Sequence, residues 1–225
     1  MELVKYEESQ GVATITMDDG KVNALSPRLL RALLEALDRA EAAGAVALIE
    51  GRPGCFSAGF DMSVFQEGEE ASREMLRLGA TAALRILGFE TPVVTAATGH
   101  AYPAGAFLML AADRRLGAEG PFRIGLNETA IGLTLPLFAV ELARYRLSQP
   151  AFHRVTTGDL YDPEQAVRAG FLDETVAPEA LASRSREVAV GLTQIHFEAH
   201  YQTKLRIRGP VLAAMQQAID TELGG

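Results

Sequence analysis

The chain has 225 residues, of which 48% are hydrophobic and 22% are charged, and its formal net charge at pH 7 is −8. These values are typical of a soluble one-domain protein, and without a basic stretch they argue against a nucleic-acid partner. The single cysteine, Cys55, excludes an intramolecular disulfide and agrees with a reducing compartment. Because no apolar run reaches about 18 residues and the first residues do not resemble a signal peptide, we expect a cytoplasmic protein with no membrane partner.

The first fifty residues carry the patterns of strands and of one helix. These patterns predict, in chain order, a strand over Leu3–Glu7, a strand over Val12–Met17, a helix from Ser26 to Gly44 and a strand over Ala45–Ile49. Ser26 is the expected N-cap of the helix, and Pro27 suits its first position. A strand, a helix and a further strand in this order predict an α/β fold.

The rest of the chain alternates small-residue segments with helices. Gly51–Gly59 and Thr98–Gly105 are rich in small residues and are predicted to be loops. Around and after them, the sequence predicts a helix over Glu70–Leu87, strands over Val93–Ala97 and Arg114–Ala118, and helices over Ala106–Ala112, Pro136–Leu147, Pro150–Thr157, Pro163–Ala169 and Pro178–Leu192. The last helix, over about Ile195–Leu223, is predicted to break near Gly209 and Pro210.

The two predicted loops share one arrangement, in which a buried strand leads through small residues towards a helix. Ligands of open α/β sheets bind at the carboxyl ends of strands, so both loops lie where a site is expected. Helix N-termini leave backbone N–H groups unpaired, and because Pro103 has none, the first free donors after it belong to Ala104 and Gly105. Two such loops can form an oxyanion hole. The same residues also fit ordinary tight turns.

Glu128 stands alone in a mostly apolar stretch, Ile124–Leu133. Burial disfavours the charged form of a carboxyl group and raises its pKa, which is what a general base near neutral pH requires. The sequence also fits a carboxylate at a helix N-terminus or on the surface.

His196 and His200 are four residues apart and share one face of a predicted helix, as pairs of metal ligands do. The residues between them do not form the zincin pattern, and no third ligand is evident. A solvated helix face is therefore favoured, and we expect no bound metal.

Four motifs occur in the order of one known family. They are Val22–Ser26 (VNALS), Phe56–Asp61 (FSAGFD), the segment Gly99–Asp113, and Gly125–Thr129 (GLNET). Together they resemble the crotonase superfamily of enoyl-CoA hydratases and isomerases, over roughly residues 1–180. The resemblance implies an α/β fold with a crotonase-like ββα spiral core over residues 1–180. It also implies a C-terminal helical segment over residues 181–225 that serves packing and oligomerisation, in a homotrimer or a dimer of trimers.

The resemblance also implies roles for individual residues. The first oxyanion N–H belongs to Phe60 and the second to Ala104, with Gly105 one residue further as the alternative donor. Glu128 takes the place of the catalytic glutamate of the enoyl-CoA isomerases. The positions expected near coenzyme A or the acyl group are Ala24, Ser57, Ala58, Asp61, Gly105 and Asn127. Coenzyme A enters as part of an acyl-CoA thioester substrate, and no cofactor is expected.

The position of Phe107 bears on which reaction the resemblance implies. The hydratases of the family carry a second glutamate there, and a phenylalanine cannot activate water. An isomerase needs one base, which removes a proton at C2 and returns it at C4. The sequence therefore favours conversion of 3-enoyl-CoA to 2-enoyl-CoA. A hydratase, a thioester hydrolase, a decarboxylase and a non-catalytic acyl-CoA binder remain open alternatives, since one fold hosts several reactions.

Overall fold

The computed structural model describes residues 2–224, which form ten strands and eight α-helices. The strands are β1 (Val4–Ser9), β2 (Val12–Met17), β3 (Val46–Glu50), β4 (Gly54–Ser57), β5 (Val93–Ala97), β6 (Gly99–Ala101), β7 (Arg114–Ala118), β8 (Ile124–Gly125), β9 (Leu160–Tyr161) and β10 (Glu174–Val176). The helices are α1 (Pro27–Ala42), α2 (Glu69–Gly88), α3 (Ala104–Ala111), α4 (Leu137–Arg146), α5 (Gln149–Arg154), α6 (Pro163–Ala169), α7 (Pro178–Leu192) and α8 (Phe197–Glu222). The predicted α/β fold is confirmed. None of the helices between residues 2 and 224 combines the length and the apolarity needed to cross a membrane.

The larger sheet has six strands in the order β1-β2-β3-β5-β7-β10, all parallel except for the β1–β2 hairpin. Its buried strands are apolar on both faces because helices cover both. In β3, Ala47 and Ile49 pack in the core that includes α1, whereas Val46 and Leu48 pack with Leu181 of α7. The carboxyl ends of β3 and β5 lead into the two segments that were predicted to be loops.

A second, four-stranded sheet in the order β4-β6-β8-β9 occupies part of those two segments. The prediction that Gly51–Gly59 and Thr98–Gly105 are loops throughout was therefore wrong. Strands β4 and β6 are parallel, with Gly54 opposite Gly99, and a Cβ atom on Gly99 would lie 2.1 Å from the carbonyl of Gly54. The close approach requires small residues, and these give a sequence pattern that is typical of loops.

The predicted break at Gly209 and Pro210 is also absent, because α8 runs without interruption across both residues. Pro210 is solvent-exposed, so water can satisfy the carbonyl group that the missing N–H leaves unpaired. Both halves of α8 are held by the rest of the chain. Lys204 donates to the carbonyls of Phe89 and Thr91, and Met215 is buried in the main core.

The segment 181–225 thus packs on elements of its own chain, α7 on the larger sheet and α8 on α2 and α4. Asp113, which follows α3, accepts ion pairs from Lys204 and Arg208 at 2.9 and 2.7 Å. These contacts tie α8 to the base of the helix that begins at Ala104. The boundary near residue 180 and a role of the segment in oligomerisation stay predictions.

Candidate active site

The two small-residue segments after β3 and β5 lie in direct contact. The N–H of Tyr102 donates to the carbonyl of Ser57 at 3.1 Å. Gly59 has a φ of +93°, and a Cβ atom there would lie 2.5 Å from Cδ of Pro103. A Cβ atom on Gly105 would lie 2.4 Å from the carbonyl oxygen of Ser57. Glycine is therefore required at both positions, and the segment that ends at Phe60 meets the start of α3.

Backbone donors are left unpaired at this junction. The residues beside Phe60 are fixed by Leu25, whose N–H donates to the carbonyl of Gly59 at 2.8 Å and whose carbonyl accepts from Asp61 at 3.4 Å. Within residues 2–224, no acceptor takes the N–H of Phe60, Ala104 or Gly105. The sequence predicts free donors at Ala104 and Gly105, and the family resemblance implies one at Phe60. Which of Ala104 and Gly105 acts as the second donor stays a prediction.

Asn23 fixes the segment that follows β2, and the sequence reasoning assigned it no separate role. Its φ of +52° lies in the left-handed region, and its side chain is fully buried. The side-chain amide donates to the carbonyls of Met17 and Phe56 at 2.9 and 3.0 Å and accepts from the N–H of Asp19 at 3.0 Å. The signal in the sequence was the VNALS motif, which was read for its contact with coenzyme A only.

The residues predicted to lie near coenzyme A fall into two groups. Ala24 and Ala58 are half-buried on neighbouring segments, and the N–H of Ala58 donates to the carbonyl of Val22 at 2.9 Å. Ser57 is fully buried, and its hydroxyl donates to the carbonyl of Asn23 at 2.7 Å and accepts from Gly59. The hydroxyl of Ser57 thus shapes the segment.

Asp61 lies just beyond this group. Its carboxylate accepts two hydrogen bonds from Ser63, from the N–H at 3.0 Å and from the hydroxyl at 2.7 Å. The side chain therefore stabilises the turn that leads towards α2. Contact of Ala24, Ser57, Ala58 or Asp61 with coenzyme A stays a prediction.

Glu128 lies between β8 and a 3₁₀ turn, Thr129–Ile131, which its carbonyl stabilises by accepting the N–H of Ile131 at 3.0 Å. The residue is only 5% exposed, so the surface position that the sequence also allowed is excluded. Its Oε2 atom is buried without a hydrogen-bond partner in residues 2–224. Burial raises the pKa of this carboxyl from 4.5 to about 7, against a smaller lowering by its own backbone N–H.

A cavity of about 300 Å³ opens beside Glu128. Its walls come from both small-residue segments, from the stretch leading into α2, from α2 itself and from the stretch that follows Glu128. The lining residues are Ala58, Phe60, Met62, Phe65, Leu76, Tyr102, Pro103, Asn127, Glu128, Ile131, Leu133, Thr134 and Pro136. Glu128 carries the only carboxyl group among them. Asn127 is buried, and its Oδ1 atom has no partner within the described residues.

Phe107 lies in α3, behind the wall of the cavity. Its ring centroid is 6.5 Å from that of Phe60 and 5.4 Å from that of Phe138, and its side chain is 2% exposed. The ring backs the Phe60 side chain. Among the described residues, no carboxyl group other than that of Glu128 lines the cavity.

The arrangement defines a class of protein. A buried carboxyl group with its pKa near neutrality faces an apolar cavity, next to a junction where backbone N–H groups are free. Such a site can move a proton while the free donors hold an oxygen on which negative charge develops. The fold is that of a crotonase-type enzyme, and the arrangement around Glu128 is compatible with one.

The comparison with known proteins agrees. The family model described as enoyl-CoA hydratase/isomerase matches residues 7–223, and the chain belongs to this family. The mitochondrial enoyl-CoA delta isomerase 1 of Rattus norvegicus is 30% identical over 212 residues, which cover 92% of this chain and 73% of that protein. A Bacillus subtilis (strain 168) protein named probable enoyl-CoA hydratase is 31% identical over 186 residues, which cover 80% of this chain and 71% of that protein.

Solved structures give the same family. The crystal structure of an enoyl-CoA hydratase/isomerase family protein from Pseudomonas syringae has a TM-score of 0.96 and 43% sequence identity, covering 98% of this chain and 96% of that chain. Isomerases and hydratases both occur among the relatives, so the family establishes an enzyme acting by isomerase or hydratase chemistry.

Proposed function

We propose that the protein converts 3-enoyl-CoA thioesters to 2-enoyl-CoA thioesters, with Glu128 as the single acid/base. The observation that carries the proposal is that, within residues 2–224, Glu128 has the only carboxyl group on the cavity lining. Glu128 takes the C2 proton, the electron pair moves into a dienolate, and the same carboxyl group returns the proton at C4. The reaction is redox-neutral and needs no cofactor, since coenzyme A is part of the substrate.

The state of Glu128 supports its role as a base. A pKa of about 7 leaves a large fraction of the carboxyl deprotonated at neutral pH and ready to remove a proton. Once Glu128 has taken the proton, its protonated form is about as stable at neutral pH as its carboxylate form. The unpartnered Oε2 atom is free to approach the substrate, because no donor from residues 2–224 competes for it.

The charge of the dienolate resides mainly on the thioester oxygen. The free N–H groups of Phe60 and Ala104 are the proposed donors to that oxygen, with Gly105 as the alternative to Ala104. Backbone donors of this kind are fixed before the substrate binds and therefore stabilise the charge without reorganisation. The loss of one such donor typically lowers the rate by about 10²–10³-fold.

Hydration of 2-enoyl-CoA is the competing reaction, because several relatives are named hydratases. Water addition needs one group to activate the water and another to handle the second proton. The Phe107 position of this chain holds a buried aromatic ring, and the part of the chain that the structure describes adds no second carboxyl group to the cavity lining. Both observations favour the isomerase.

The proposal is tested by giving the purified protein 3-enoyl-CoA and 2-enoyl-CoA in separate reactions. We expect conversion of 3-enoyl-CoA, and a loss of this activity of at least about 10²-fold in a Glu128→Gln variant, which keeps the shape but removes the base. Glu90→Gln is the matched control, since Glu90 is exposed and is not one of the residues that line the cavity. Hydration of 2-enoyl-CoA at an efficiency comparable to the isomerisation would overturn the proposal.

A further inference from the structure

Gly79 stands inside α2, where glycine is unfavourable by roughly 0.5–1 kcal/mol relative to alanine. The residue is buried, and its α-carbon faces the ring of Phe60. A Cβ atom on Gly79 would lie 2.5 Å from Cε1 and 2.7 Å from Cζ of that ring. The missing side chain therefore provides the space in which the edge of the Phe60 ring rests.

The Phe60 ring has little room to move towards α3. On one side it packs against Phe107, which is itself buried and backed by Phe138. Close-packed interiors yield little to such a displacement. Phe60 is half-buried and lines the cavity beside Glu128. The cavity is therefore the open side of the ring.

The backbone of Phe60 is held independently of its ring. Hydrogen bonds between Leu25 and the residues on both sides of Phe60 fix the segment. A methyl group at position 79 is thus expected to push the ring into the cavity while the Phe60 N–H stays in place.

We propose that Gly79 is a specificity-determining residue, which sets the length of acyl chain that the cavity accepts by holding the Phe60 ring out of it. The inference rests on the proposed function only in that the cavity takes the acyl chain of a CoA thioester. An apolar cavity of about 150 Å³ holds benzene, so one of about 300 Å³ suits an acyl chain of medium length.

The test measures dissociation constants of saturated acyl-CoA thioesters, from butanoyl-CoA to dodecanoyl-CoA, by titration calorimetry. For the wild type we expect the affinity to rise roughly fourfold with each methylene that the cavity buries, until the cavity is filled. For Gly79→Ala we expect unchanged affinity for butanoyl-CoA. With longer chains the affinity should fall roughly fourfold below the wild type for each methylene that no longer fits.

Two further variants separate this effect from a general disturbance of the fold. Gly191→Ala is the matched control, because Gly191 also lies in a helix and a Cβ atom there would meet nothing within 4 Å. It should reproduce the wild-type series. Adding Phe60→Leu to Gly79→Ala removes the clashing ring atoms and should restore the affinity for long chains.

An equal loss for all chain lengths in Gly79→Ala, or no loss relative to Gly191→Ala, would overturn the inference. If Gly79→Ala does not fold, Phe60→Leu alone decides: a preference shifted to longer chains supports the inference, and an unchanged preference overturns it. The measurement needs no turnover. If the protein does not isomerise 3-enoyl-CoA but Gly79→Ala shows the chain-length effect, only the proposed function is refuted. If the protein isomerises 3-enoyl-CoA but the binding series of the wild type and Gly79→Ala are parallel, only the inference is refuted.

Discussion

The raised pKa of Glu128 predicts that this residue destabilises the folded protein above neutral pH. Its pKa is about 7 in the folded state and 4.5 ordinarily, so between these values the folded state binds more protons than the unfolded state. Stability must then fall as pH rises through this range. The difference of about 2.5 pKa units corresponds to about 3 kcal/mol, at 1.36 kcal/mol for each unit. Glu128→Gln removes the titrating group and should remove this loss.

The assay is urea unfolding of the wild type and of Glu128→Gln across a series of pH values from about 4 to about 9. The free energy of unfolding of the variant relative to the wild type should increase by about 3 kcal/mol between pH 4.5 and pH 8. The exposed Glu90→Gln, outside the cavity lining, serves as the control for the removal of one carboxyl group. Parallel curves for the wild type and Glu128→Gln would show that Glu128 has the same pKa in both states, which would contradict a pKa raised by burial.

Three other predictions follow from the site and its supports. The kcat/KM for isomerisation should rise with pH to a plateau, with a midpoint of about 7, because Glu128 must be deprotonated to act. A midpoint near 4.5 would contradict the raised pKa of Glu128. Asn23→Ala should lower the free energy of unfolding, measured by urea unfolding, by about 2–4 kcal/mol. It removes buried hydrogen bonds at a residue with left-handed backbone conformation. A loss below about 1 kcal/mol would contradict this role of Asn23. Asp113→Asn should lower the free energy of unfolding by about 3–5 kcal/mol, because two buried cations lose their counter-charge. Glu164→Gln, in an exposed ion pair, should lower it by less than about 1 kcal/mol. Similar losses in the two variants would contradict the role of Asp113.

Local sequence signals predicted the elements whose stability is largely local. The apolar, β-branched runs gave β2, β3 and β5, and the Ser26–Pro27 pair marked the start of α1, where Ser26 accepts from the N–H of Leu29. These signals work because strand burial and helix capping depend on residues close in sequence. The ordered motifs indicated the segments that the structure brings together around Glu128.

What the sequence did not predict depends on contacts between distant segments. The second sheet forms where Gly54 and Gly99 allow two backbones to approach, and α8 continues past Pro210 because both of its halves pack on other elements. The part of the cavity wall from α2 was missed for the same reason. Of the apolar residues after Glu128, Ile131, Leu133 and Pro136 line the cavity. The role of Gly79 could not be predicted from its neighbours in sequence, since it depends on contact with the ring of Phe60, which is 19 positions away.

In the proposed reaction, the carboxyl group of Glu128 alone carries a proton from C2 to C4. The most direct test uses 3-enoyl-CoA deuterated at C2 and follows the label in the 2-enoyl-CoA product by mass spectrometry and NMR at early turnover. Because Glu128 is 5% exposed and faces an apolar cavity, we predict that part of the deuterium appears at C4 of the product. Product that contains no deuterium at C4, even at the first turnovers, would contradict transfer by a single shielded base.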